Sequence, residues 1–209
     1  GDLGEMTRVI WIVTDWYRSQ SYYDQGGWRA TWDGEGGGVL LNQNPHNLDL
    51  WQWMCGIPKR VKSQVYYGKH RNIEVEDDLY ALVEYENGAT GCYITTVGDA
   101  PGTNRLEIDG TNGKIVVENN ELTFYRLRIP EPEFNATYKG GLGKPEVWEC
   151  KIPIKGTYTS HPGIINNFCD CILKGAKPIA PGAEGIRGLQ ISNAIHLSSW
   201  LNGEWGFVP

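Results

Sequence analysis

Val75-Glu76-Asp77-Asp78-Leu79-Tyr80-Ala81-Leu82-Val83-Glu84-Tyr85-Glu86-Asn87-Gly88-Ala89-Thr90-Gly91-Cys92-Tyr93-Ile94-Thr95-Thr96-Val97 is the stretch that decides the fold. Two runs rich in β-branched and aromatic residues, 75–85 and 89–97, flank Glu86-Asn87-Gly88, and Asn-Gly between such runs is the strongest short-range hairpin signal. A link this short demands antiparallel pairing, because a parallel connection needs a dozen or more residues.

The pattern repeats outward in both directions. Upstream, 61–67 reads as a strand, and 7–16, with Val9, Ile10, Ile12, Val13 and Trp16, as a longer one. Between them, 18–38 is a loop dense in glycine and aromatic residues. Downstream, 105–109 and 114–118 flank Gly110-Thr111-Asn112-Gly113, and Asn119-Asn120 leads into a strand at 122–127. A Pro- and Gly-rich excursion over 129–145 precedes a last strand at 146–154.

The helices are read from a different period. Over 45–55, Asn44 is placed to cap, Pro45 fits the first helical position, and Gly56 followed by Pro58 stops the helix. His46, Asp49 and Trp53 share one face of it, while Leu48, Trp51 and Met54 lie on others. A second helix over 161–174 carries Ile164, Ile165, Phe168, Ile172 and Leu173 as a stripe. A third, over 183–201, carries Ile186, Leu189, Asn193, Leu197 and Leu201. Single-face stripes predict helices that cover a sheet.

The expected fold class is therefore α+β: a large, predominantly antiparallel but mixed sheet with helices packed on one face, as a single domain over 1–209. The other face is left open. With 9 Trp and 11 Tyr to place, pairing of that face with another subunit is favoured over leaving it bare, since an exposed aromatic sheet face invites aggregation.

Composition excludes several classes. The net charge is −6 and the 19 basic residues are scattered, which gives no electrostatic footprint for nucleic acid or anionic lipid. No apolar run reaches the roughly 18–20 residues of a membrane span, and the N-terminus has no apolar signal region. The five cysteines (Cys55, Cys92, Cys150, Cys169 and Cys171) are odd in number and lack zinc spacing. They read as reduced, mostly buried thiols of a cytoplasmic protein, and no metal site is expected. The chain opens with Gly1-Asp2-Leu3-Gly4-Glu5 and runs at once into a strand pattern, which leads one to expect a further domain upstream.

Residues 36–49, Gly-Gly-Gly-Val-Leu-Leu-Asn-Gln-Asn-Pro-His-Asn-Leu-Asp, carry the chemistry. His46 stands at a helix start beside a glycine triplet that lets backbone pass close to something bulky. Asn42, four residues upstream, and Asp49, three downstream, are able to hydrogen-bond an imidazole or a polyol. His46 is either a general acid or base for an alcohol or a locally bonded helix-start histidine, and the residues leave both open. Tyr22, Tyr23, Trp28, Trp32 and Arg29 form an aromatic loop. Such rings stack on sugars while arginine holds a carboxylate or hydroxyls; the same aromatics also serve as the lid of a core. His161 reads as structural, His70 as solvated in a polar turn, and His196 as having no distinctive neighbours. No G-x-S-x-G and no G-x-G-x-x-G opening a helix is present.

Residues 36–49, followed by Trp53 and Gly56-Ile57-Pro58, resemble the substrate-domain motif of the Gfo/Idh/MocA family of NAD(P)-dependent oxidoreductases. That pattern is a glycine run, an acidic residue, a histidine four positions on and an aspartate three further. Glu76-Asp77-Asp78 leading to Glu86-Asn87-Gly88-Ala89 resembles the family's central hairpin. Asn167-Phe168, Gly175, Pro178, Gly182, Glu184-Gly185, Ala194 and Pro209 agree with its ending.

The resemblance implies the C-terminal half of an enzyme acting on a sugar, cyclitol or related polyol by hydride transfer. NAD or NADP would sit on an N-terminal Rossmann domain absent from this chain, so no cofactor-binding residue is expected here and the fragment alone is expected to be inactive. His46 matches the catalytic histidine that relays a hydroxyl proton. Asp49 lines the same pocket; Asn42, Trp28, Arg29 and Tyr22 complete the substrate-binding set. The open sheet face becomes an oligomerisation surface for dimers or tetramers. Asn42 departs from the family's aspartate, and an amide cannot supply the negative charge that stabilises imidazolium. Two alternatives remain: a relative that uses the nicotinamide transiently to cleave glycosidic bonds, and a non-catalytic carbohydrate-binding or oligomerisation module.

Overall fold

The structure, a computed structural model, describes residues 1–154 and 160–209. In chain order its elements are β1 (Met6–Val13), α1 (Gln20–Asp24), α2 (Pro45–Cys55), β2 (Arg60–Tyr67), β3 (Glu76–Glu84), β4 (Thr90–Thr96), β5 (Asn104–Gly110), β6 (Gly113–Glu118), β7 (Glu121–Leu127), α3 (Glu131–Thr137), β8 (Val147–Ile152), α4 (Ser160–Lys174), a 3-10 turn at Gly182–Glu184, α5 (Gly185–Trp200) and β9 (Gly206–Phe207). The strands form one sheet in the order β8-β7-β6-β5-β1-β4-β3-β2-β9. This is the expected α+β fold with a mostly antiparallel, mixed sheet.

Its turns follow their chemistry. At Asn87-Gly88 the Gly88 N–H donates to Tyr85 O at 3.0 Å, the Asn87 side chain accepts from Ala89 N–H at 3.0 Å, and Gly88 takes φ 84°. Asn119 and Asn120 both hold positive φ, 53° and 60°, the two-residue geometry that matches the twist of paired strands and that asparagine tolerates. Among the described residues every neighbouring pair is antiparallel save one: β1 runs parallel to β4 and antiparallel to β5, slotted between β2–β4 and β5–β8.

One row of side chains crosses almost the whole sheet on the helix side: Ser63, Ala81, Tyr93, Trp11, Leu106, Val117, Leu122 and Ile152. From Ser63 to Leu106 the row is buried; Val117 and Leu122 are half-buried and Ile152 is 44% exposed. The helices explain the gradient. Trp51 of α2, 2% exposed, stacks on Trp11 with ring centroids 6.4 Å apart. It meets Tyr93 edge-on at 5.3 Å and donates to the Tyr85 hydroxyl at 2.7 Å.

α5 closes the β2 side. Ser198 and Ser199 accept from the N–H groups of Ser63 at 2.9 Å and Val65 at 3.0 Å, and Ser63 Oγ donates to Ile195 O at 2.6 Å. These serines occupy backbone donors of β2 beyond its short pairing with β9, donors that a buried strand edge cannot leave unpaired.

The structure corrects several expectations. β1 ends at Val13, and the chain through Trp16 leaves the sheet. The loop and the Pro-rich excursion each contain a short helix, α1 and α3. α5 turns Ile191, Ala194, Ile195 and Ser198 inward, and Ile186, Leu189, Leu197 and Leu201 face out. Small and hydroxyl residues are needed where a helix approaches a strand edge closely, so the more apolar stripe lost the competition for the interior. On α4 the stripe is also exposed, from Phe168 to Leu173, the latter at 79%; α4 does not cover the sheet. None of the cysteines is fully buried: Cys169 is exposed and the others are half-buried. Burial pushes the Cys55 thiol up to about 11.

Candidate functional site

Two features of the fold build the site: the end of β1 and the glycine loop that leads into α2. At the first, Thr14 N–H donates to Thr103 O at 2.7 Å and the chain then leaves the sheet. Arg18 N–H reattaches it to Val97 O, the residue after β4, at 3.1 Å. The stretch between brings Trp16 to the first turn of α2, where its Nε1 donates to Asn47 Oδ1 at 3.3 Å.

The glycine loop is shaped by Glu76. This fully buried carboxylate accepts from Gly38 N–H at 2.8 Å and Leu40 N–H at 3.0 Å, while its own carbonyl accepts from Val39 N–H at 3.0 Å. A Cβ on Gly38 would lie 2.0 Å from that carbonyl oxygen. The close approach that the glycines permit at Gly38 is therefore to Glu76 and not to a ligand. Burial pushes the Glu76 carboxyl up to about 7, against the opposing pull of its backbone donors.

His196, read from sequence as without distinctive neighbours, stands beside it. Its Nε2 is 3.7 Å from Glu76 Oε2, its Nδ1 is 3.1 Å from the Tyr67 hydroxyl, and Trp32 and Trp200 pack on its ring. Burial lowers its pKa to about 4. His70, expected to be solvated, instead bonds Asp78 Oδ2 at 2.7 Å.

From this clamped loop Asn42 reaches the aromatic loop. Its Oδ1 accepts from the Tyr22 hydroxyl at 3.3 Å and from Gln43 Nε2 at 2.7 Å, and its Nδ2 donates to Glu35 Oε1. The other Glu35 oxygen accepts from Ala30 N–H at 2.8 Å. The negative charge that Asn42 lacks is thus bonded to it, supplied by a residue seven positions earlier. Arg29 lies over the Tyr22 ring at 4.6 Å and over Trp28 at 5.0 Å. Tyr22, Trp28, Arg29 and Asn42, four of the six residues singled out from sequence, form one connected cluster.

His46 and Asp49 are exposed on the outer side of α2. His46 is the neighbour of buried Asn47, which ties the helix to Trp16. The Asp49 carboxylate accepts from Gln52 Nε2 at 3.1 Å rather than serving His46. Asn44 does not cap the helix through its side chain; Nδ2 is drawn instead to Thr95 Oγ1 of the sheet, and only its carbonyl takes up Leu48 N–H, at 3.0 Å.

Sequence reasoning did not assign Trp16, Arg18, Glu35, Gln43, Asn47 or Glu76 to the site. The acidic run at the head of an otherwise apolar β3 was the available signal for Glu76. Glu35, next to the glycine triplet, offered a weaker one. Among the described residues no group of three or more His, Cys, Asp or Glu is placed to hold a metal, and no helix is long and apolar enough to cross a membrane.

The model of the GFO/IDH/MocA C-terminal domain family matches residues 1–116. The chain belongs to this family. Solved structures similar to this Gfo/Idh/MocA C-terminal domain include the WlbA dehydrogenase of Bordetella pertussis in complex with NADH and UDP-GlcNAcA. That structure is 25% identical with a TM-score of 0.78, over 100% of this chain and 57% of that one. The WlbA dehydrogenase of Chromobacterium violaceum, with the same two molecules, is 28% identical with a TM-score of 0.77, over 100% and 56%. A levoglucosan dehydrogenase in complex with NADH and levoglucosan, 20% identical with a TM-score of 0.73 over 100% and 60%, shares the fold. The Gfo/Idh/MocA domain described here thus spans a little over half the length of the WlbA structures. No curated protein matches it.

Proposed function

We propose that this chain is the substrate-binding half of an NAD(P)-dependent oxidoreductase that acts on a sugar, cyclitol or related polyol, working in the cytoplasm with a Rossmann domain of the same protein. The observation that carries the reading is the placement of an exposed His46 at the head of α2, joined through Asn47 and Trp16 to the segment that also carries Arg18, Tyr22 and Arg29. Membership of the family and the NADH-bound WlbA relatives support it.

NAD(P) itself fits nothing here: among the described residues there is no glycine-rich turn from strand to helix that would seat a pyrophosphate. The cofactor, held by the other domain, would supply hydride acceptance. This chain would supply orientation and proton movement. Arg29, stacked over Tyr22 and Trp28, offers donors, and Asn42, polarised by Glu35, fixes the Tyr22 hydroxyl. The His46 imidazole would take the proton of the hydroxyl being oxidised. The open sheet face is assigned to self-association in a dimer or tetramer.

The test is turnover of the intact protein with His46→Ala. The expected loss is about 10²-fold or more in kcat, the typical worth of general acid–base work. Turnover within a few-fold of the parent removes His46 from the proton path.

A further inference from the structure

We propose that the outer face of α2, with Trp53 at its centre, is the seat of the cofactor-bearing domain, so that the site around His46 is completed only when that domain lies across it. The inference rests on the oxidoreductase reading for what the occupant carries, and on the surface of α2 and α5 for where it sits.

His46, Leu50 and Trp53 follow one another along α2 at three- and four-residue spacing, so they form a single stripe, with Asp49 and Met54 on its flanks. All five are exposed, Trp53 at 72%. Asp49 is the one Asp, Glu, Lys or Arg of the helix, and Gln52 already bonds it. The surface continues onto α5. Arg187 Nη1 donates to Gln52 Oε1 at 3.4 Å, and a Cβ at Gly188 would lie 3.8 Å from Leu48 Cβ, so the two helices run close together there. Ile186 and Leu189, on either side of that contact in the chain, are exposed.

A helix face of Trp, Leu and Met with a single carboxylate has the composition of an interface core, where aromatic residues and methionine are enriched and charges depleted. Left bare, it is an aggregation hazard. His46 selects the occupant. The oxidoreductase reading places the proton acceptor on this chain and the cofactor on another domain, and both act at one carbon of the substrate. That domain therefore has to lie against the face that carries His46, and its closure expels water from the imidazole. Similar proteins have the chain to provide it: this domain spans a little over half of the WlbA dehydrogenases solved with NADH. A second copy is not required on α2, because self-association is assigned to the sheet face opposite the helices.

The experiment is hydroxyl-radical footprinting of the intact protein, with the same protein unfolded as one reference and Trp51, 2% exposed, as the other. A seated domain is expected to slow oxidation of Trp53 to nearly the rate of Trp51, and an uncovered α2 leaves it near the unfolded rate. Proteolysis and light scattering of Trp53→Ala complete the test. Proteolytic separation of the two halves is expected to be about tenfold or more faster, as for loss of a hot-spot tryptophan, with the mass of the assembly unchanged. Leu142→Ala, at a fully exposed loop position, is expected to separate at the parent rate. Oxidation of Trp53 near the unfolded rate overturns the seat, and this footprint needs no variant to fold. A Trp53→Ala protein that halves its assembly mass while its halves separate at the parent rate also overturns it, because a second copy then covers α2. Protection of Trp53 in a protein whose other half takes up neither NAD nor NADP keeps a docked domain and removes the oxidoreductase reading. Cofactor uptake with Trp53 unprotected removes the seat and leaves that reading.

Discussion

The helix side of the sheet divides into two regions that the same residue pattern built differently. From β2 to β5 the inward row, Ser63 to Leu106, is closed over by Trp51 of α2 and by the serine face of α5. From β6 to β8 the same row continues through Val117 and Leu122 to Ile152, and the neighbouring Trp148 is 48% exposed. Apart from Ser63, the row is apolar or aromatic in both. The difference teaches that period-2 patterning specifies which face of a strand seeks cover, while burial depends on what lies on top. The site grew where the cover is, because clamping a glycine loop around a carboxylate requires a buried strand such as β3.

The sharpest way to break this contrast is to remove one indole from each region. Trp51→Ala is expected to cost about 3–5 kcal/mol, the range for a buried aromatic, and Trp148→Ala under about 1 kcal/mol, as for other surface changes. Urea unfolding of both variants measures it, and equal losses would mean that the β6–β8 region is as well packed as the β2–β5 region.

A second effect of cover is on buried titratable groups. Glu76, held at about 7 against an ordinary 4.5, gives stability that is full below pH 4.5 and lost as pH rises through 7. His196, at about 4 against 6.5, gives stability that is present above pH 6.5 and lost as pH falls through 4. Each amounts to about 3 kcal/mol, and between pH 4.5 and 6.5 their slopes oppose one another. His196→Asn is therefore expected to grow more stable as pH falls from 7 to 4.5, and Glu76→Gln less stable as pH falls from 6.5 to 4. Parallel stability–pH profiles for the two variants would contradict the assignment.

The smallest expected effect separates tight from open backbone. Gly38→Ala forces a Cβ onto the Glu76 carbonyl and is expected to cost about 1–3 kcal/mol by overpacking. Gly27→Ala, with nothing within 4 Å of its Cβ, is expected to stay within about 0.5 kcal/mol. Thermal unfolding of the pair distinguishes them.

Much of this was legible in the residues. The Asn87-Gly88 and Asn119-Asn120 turns fixed the meander because their φ requirements are local, and α2 begins at Pro45 and ends at Cys55 as its stop signals require. The inward face of α5 was not legible, because its packing depends on a strand edge whose residues lie more than a hundred positions away. Tyr22, Trp28, Arg29 and Asn42 could be grouped by type. Glu35 and Glu76 were not assigned, since an acidic run and a place beside a glycine triplet mark a carboxylate without showing which amide or backbone N–H it bonds. Arg18, read as the first residue of the 18–38 loop, was not grouped with the aromatic residues further along it, because its stacking on Tyr22 depends on where the chain leaves the sheet.

β1 also bears on the order of assembly. Val9 aligns with Gly91 on one side and Ile108 on the other, so both its neighbours arrive long after it along the chain. The β2–β4 and β5–β7 meanders are held by local connections and need no distant partner to begin pairing. Closing the long loops to β1 carries an entropic cost that comes before its contacts reward it. Capture of Met6–Val13 is the step at which two independent ribbons become one sheet, and mutations that weaken this strand should slow folding more than they hasten unfolding.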